Sequence, residues 1–172
     1  MSQFDSLTKY IPMLREDHIG EWVIDQENDG TAERPIQMPF VHYSETVQRF
    51  IEDVYIFAEQ HQEMELIRYR EILKENGIEG GLNDIENVDL SHLNAQCILA
   101  LIMGVVSAER FCDGAIFDSF KSGAILKWLE RLKNLDVPAN PSKTNSSSRS
   151  FKYDTTFVYK RSNASLEIGW FT

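Results

Sequence analysis

Cysteine is scarce in this chain of 172 residues, and the two present, Cys97 and Cys112, cannot staple it. Both fall on what reads as one helix, where the helical rise sets them roughly 22 Å apart, beyond the reach of a disulfide. Met1 to Leu14 has neither a basic start nor a long apolar run, so no secretory signal or transit peptide is predicted. Together these features point to a reducing, cytoplasmic setting. Long apolar stretches are missing elsewhere too. The uncharged run Cys97 to Val106 is far short of the ~20 residues that a bilayer requires.

Cations are also few: 17 Lys and Arg face 27 Asp and Glu, for a net charge of -10. That field repels phosphate backbones and anionic membrane surfaces, which argues against nucleic-acid and membrane partners. The one basic stretch, Lys121, Lys127, Arg131 and Lys133, gathers toward the C-terminal end of a predicted helix, where cations complement the helix dipole. His18, His42, His61 and His92 have neither metalloprotease nor zinc-finger spacing, so no metal site and no cofactor is expected. His61 and Glu65 read as a solvated pair on a charged helix face. Gly80-Gly81 lacks a following Lys-Ser or Lys-Thr, and no serine occupies a Gly-x-Ser-x-Gly elbow, which leaves nucleotide binding and serine nucleophiles without support.

What is present is ordinary globular composition, 42% hydrophobic and 26% charged, in a chain long enough to bury a full core. The patterns predict a mainly α (α+β) fold: a helical core around one buried central helix, a small antiparallel β portion and a C-terminal β-hairpin. Leu7, Tyr10, Ile11 and Leu14 predict a short helix over 6–15, in spite of Pro12. Short β elements follow near 21–24 and 37–43, separated by a polar loop. Ser44 is a predicted N-cap, and Val47, Phe50, Ile51, Val54, Tyr55 and Ala58 form the clearest helical stripe. That stripe continues less cleanly to Asn76-Gly77, with a break near His61.

From Ser91 the sequence is apolar on every side, the mark of a helix packed on several faces, and Gly104 offers a neighbour close approach. The central helix is read as closing in Glu109-Arg110-Phe111-Cys112-Asp113-Gly114. Two shorter helices with tight turns follow, around Ile116, Phe117 and Phe120 and around Ile125, Trp128 and Leu132. The globular domain is therefore placed at 1–135. Residues 136–150, rich in Pro, Asn and Ser, read as a flexible linker. Residues 151–172 alternate apolar and polar side chains with a turn at Arg161 to Ala164, the pattern of a hairpin that needs a surface to cover its aromatic face.

Two groups of residues are candidates for function. Glu109, Arg110 and Asp113 place three charges on the last predicted turn of an apolar helix. The spacing of Glu109 and Asp113 puts both carboxylates on one face, suited to general acid–base work tuned by Arg110. The same residue types also suit a turn in which Asp113 caps the next helix, Gly114 takes the positive φ and Arg110 ties two helices together. The second group is aromatic: Trp22 and Tyr43, with Tyr159 and Trp170 in the C-terminal hairpin, are residue types enriched in protein interfaces and equally suited to covering a small sheet.

The run Glu109 to Gly114, followed by Ser122-Gly123-Ala124-Ile125-Leu126-Lys127-Trp128-Leu129-Glu130-Arg131-Leu132, resembles an uncharacterised bacterial family, a domain of unknown function. In that family an apolar helix ends in an acidic-Arg-Phe-x-acidic-Gly turn. Trp22 and Met38 to Ser44 resemble its N-terminal half, so the resemblance spans roughly 5–135. It implies architecture and a bacterial origin, and no chemistry. Three readings stand at this point. The first is a non-enzymatic protein-interaction or regulatory module, which in one version self-associates through the C-terminal hairpin. The second is a small hydrolase-like enzyme using Glu109 and Asp113, and the third an acidic nucleic-acid mimic.

Overall fold

Asn94 starts the central helix: its side-chain oxygen accepts the Cys97 backbone N–H at 2.9 Å, satisfying one of the donors that a helix N-terminus leaves free. This is a computed structural model of the chain, and it describes residues 2–80 and 82–136, the side chains of Leu82 and Asn83 excepted. Apart from Asp136, the expected linker lies outside the described residues, as does the expected hairpin with Tyr159 and Trp170. Among the described residues the fold is mainly helical with one small antiparallel sheet. Its elements run α1 (Asp5–Thr8), α2 (Ile11–Glu16), β1 (Gly20–Val23), β2 (Phe40–Tyr43), α3 (Glu45–Gln60), α4 (Tyr69–Glu75), α5 (Leu82–Glu86), α6 (Ala95–Ala108), α7 (Ala115–Lys121) and α8 (Ala124–Leu135).

The central helix is α6. Every residue from Cys97 to Val106 is buried, and α3, α4, α7 and α8 all pack against it. Each fully buried Ile or Leu there contributes about 1.5–3 kcal/mol by leaving water. Burial also pushes the Cys97 thiol above its ordinary pKa, which makes it an inert core residue. Tyr69 and Leu73 of α4 lie over Gly104, but a methyl group there would meet Tyr69 at an ordinary 3.5 Å. The helix is shorter than its pattern implied. Leu90–His92 form a 3-10 turn before it, and it stops at Ala108, so Cys112 is exposed in the following turn and does not share a helix with Cys97.

Ser44 caps α3 as expected, and Val47, Phe50, Val54 and Phe57 are its buried stripe. The helix ends at His61, whose ring stacks on Phe57 with centroids 4.2 Å apart. Two 3-10 turns follow, Gln62–Met64 and Leu66–Arg68, joined by Glu65 in the left-handed region at φ 48°. His61 and Glu65 therefore do not share a helix face. Instead His61 Nδ1 lies 2.9 Å from Glu63.

The N-terminal stripe splits into α1 and α2, with Pro12 in the first turn of α2, where its missing N–H costs nothing. The sheet pairs Gly20 with Tyr43 and Trp22 with Val41, so the first strand lies one residue earlier than its pattern, the second is shorter than its pattern, and Pro39 falls just outside. Asp25 organises the loop between them by accepting the backbone N–H groups of Glu27, Asn28 and Gln37. These bonds, that of Gln37 foremost, hold its carboxyl down at about 2.

Candidate functional site

Beyond Ala108 the chain turns sharply, and Glu109 is the residue that closes the turn. Its Oε1 accepts the Gly114 N–H at 3.0 Å and the Tyr43 hydroxyl at 2.7 Å, and its Oε2 accepts the Ile116 N–H at 2.9 Å. The Tyr43 hydroxyl in turn accepts the Phe117 N–H at 3.3 Å. Three donors at the start of α7 are thus satisfied from a strand and from the end of α6, in a position where negative charge favours a helix. Burial, reinforced by the bond to Glu109 and its charge, pushes the Tyr43 phenol well above its ordinary pKa.

Gly114, at φ +90°, sits beneath the Trp22 ring, and a Cβ built there would lie 2.5 Å from a ring carbon. Trp22 also meets Phe117 edge-on, with centroids 6.4 Å apart. Three residues singled out from the sequence, Trp22, Tyr43 and Glu109, therefore meet at one turn and fasten the sheet to α7. The capping carboxylate is Glu109, whereas Asp113 is exposed. Because α6 has already ended, Glu109 and Asp113 do not lie on a common helix face. Arg110 points elsewhere, its guanidinium over the Tyr55 ring at 5.3 Å.

That stacking marks one end of an apolar groove of about 360 Å³. One wall is the C-terminal end of α3, with Tyr55, Ala58 and Glu59, continued by Gln62 in the 3-10 turn that follows. The other is the C-terminal end of α6, with Met103 and Ser107, continued by Arg110 in the turn after it. The walls run antiparallel: Tyr55 lies by Arg110, whereas Gln96 near the start of α6 donates to the Met64 carbonyl just past the end of α3. Leu66 and Ile67 close the far end, and Ile67 is 91% exposed, the side chain of an aliphatic residue left in water. Phe111, next to Arg110 in the chain, is 88% exposed. The sequence patterns did not mark this groove. Its walls come from two helices far apart in the chain, and Ile67 followed the general apolar trend of its segment.

Other concavities have different character. One over Gly104 is lined by Tyr69, Leu73, Ile78 and Ile85 with Arg70 and Lys74 at its rim, and another gathers Lys9, Arg49, Glu52 and Asp53. In the latter, burial works against the Asp53 carboxylate, but Lys9 at 2.8 Å and the Tyr10 hydroxyl at 2.7 Å hold its pKa below the ordinary range. A third lies at His18 and His42 beside the sheet. Neither Glu109 nor Asp113 lines any of these clefts. Among the described residues no group of three His, Cys, Asp or Glu is placed to hold a metal ion, and no helix is long and apolar enough to cross a membrane. No curated protein and no solved structure matches the chain. The sequence does match one family model over residues 1–136, and the chain belongs to that family, a family of unknown function (DUF6508).

Proposed function

We propose that the chain is a non-enzymatic protein-interaction module that receives an apolar segment of a partner protein in the groove between α3 and α6. The observation that carries this reading is the groove itself: a concave apolar strip with Leu66 and Met103 in its lining and Ile67 standing 91% exposed at its end. A lone exposed apolar side chain is ordinary, and what supports docking is that Ile67 adjoins the apolar lining of a concave strip. The acid–base alternative gains no comparable support, since both oxygens of Glu109 are engaged in the cap of α7. The module is assigned to the cytoplasm because an exposed free thiol, Cys112, persists best in a reducing compartment.

Photo-crosslinking in cells tests this reading. A benzophenone side chain at position 67 of the full chain is expected to give a discrete adduct that disappears when Ser107→Glu, at a partly exposed position of the groove lining, is added. The same probe at Glu33, in the exposed loop, is expected to give none. Adducts of equal yield at both positions, or an adduct at 67 indifferent to Ser107→Glu, would contradict it. An adduct with a second copy of the chain would overturn the partner-protein occupant and make this groove a site of self-association.

A further inference from the structure

We infer that the segment received by this groove is a short amphipathic helix carrying a carboxylate on the edge that faces α6. The inference rests on the docking reading above and deepens it. Where α3 and α6 form the walls, the helix backbone groups are bonded along their own axes. An extended peptide laid between them would bury its N–H and C=O groups with nothing to pair with, at a cost for each group. A helix satisfies its own backbone and offers only side chains. Along the helical part of each wall, Tyr55 to Glu59 and Met103 to Ser107 each span roughly 6 Å by helical rise, which accommodates about one turn of a docked helix with apolar anchors at i and i+3 or i+4.

The charge follows from the rim. Arg110 is held over Tyr55 and makes no ion pair or hydrogen bond with any described residue. A docked helix that covers it without an acceptor would bury an unpaired guanidinium, so the occupant brings an Asp or Glu to that edge. Glu59, one helical turn from Tyr55 on α3, also lines the groove. A second carboxylate there would be repelled, so the edge facing α3 is neutral or cationic.

A displayed library of 16-residue peptides, selected on the full chain, is the probe. Enriched peptides are expected to be helix-forming, with apolar residues at helical spacing and an acidic residue at one fixed flank. Arg110→Gln is expected to weaken their binding about tenfold. Selection on Arg110→Glu should replace the acidic residue with Lys or Arg. Circular dichroism of each variant confirms that the fold is retained. Peptides that lose binding on Ile67→Glu but are indifferent to Arg110→Gln would overturn the carboxylate and leave the docking reading standing. Enriched peptides rich in proline would overturn the helix. Peptides indifferent to both substitutions, or a library without enrichment, would overturn the docking reading and this inference together.

Discussion

Glu109 shows how little a residue type says until its surroundings are known. In the sequence it is one of two carboxylates suited to proton transfer. In the fold, its two oxygens collect the Gly114 and Ile116 amides and the Tyr43 hydroxyl. Glu109→Gln removes the charge and turns an NH2 group toward one of those donors, which is expected to cost about 1–3 kcal/mol in urea unfolding. A loss near zero would show that the cap is not structural. Gly114→Ala faces two separate penalties, an L-residue at φ +90° and a methyl group 2.5 Å from the Trp22 ring. The expected destabilisation is about 1–3 kcal/mol. Adding Trp22→Ala should relieve the steric part and leave the dihedral part, so the double variant should lose less than the two single losses summed. Full additivity would mean that the ring does not press on this turn.

At the scale of elements, what the sequence made legible was whatever depends on near neighbours. The Ser44 cap, the Val47, Phe50 and Val54 positions of the α3 stripe and the apolar burial of α6 are local patterns, and each is present, whereas Phe57 is buried on α3 without having been part of the predicted stripe. The element ends were less legible. Asn94 competes successfully to start α6, moving its beginning past Ser91, and the chain leaves the helix at Ala108 because the next turn is closed by a contact with Tyr43, 66 positions away. Trp22, Tyr43 and Glu109 could each be named from the sequence, but that they meet is a property of the tertiary fold. The same holds for the groove, whose apolar walls belong to two separate helices. Gly104 is a case where a local reading was too strong, since the space beside it admits a methyl group at ordinary contact distance. Gly104→Ala is therefore expected to raise stability by up to about 1 kcal/mol through helix propensity, measured by thermal or urea unfolding. A large destabilisation would mean that α4 packs closer to α6 than the contact distances show.

For the whole molecule, two phenols tie the fold to pH. Burial and the neighbouring Asp53 push Tyr10 up to about 12, and burial with Glu109 raises Tyr43 as well. Phenols in the unfolded chain ionise near ~10. Between that value and about 12 the folded chain holds protons that the unfolded chain has lost, so stability falls as pH rises through this window. Below pH ~10 the contribution is fully present. Alkaline unfolding profiles should show this fall, and Tyr10→Phe should flatten it. A profile level to pH ~12 would contradict the buried placement of both hydroxyls. The family match over residues 1–136 takes in both tyrosines, the stapled turn and both walls of the groove.

The central claim, that the α3–α6 groove is the docking surface, is tested most directly by methyl NMR spectra of the full chain during titration with a peptide selected on it. The prediction is that shifts concentrate on Ala58, Leu66, Ile67 and Met103 while Val41 and Ile116, at the stapled turn, stay in place. Shifts centred on Val41 and Ile116, with the groove methyls unmoved, would contradict it.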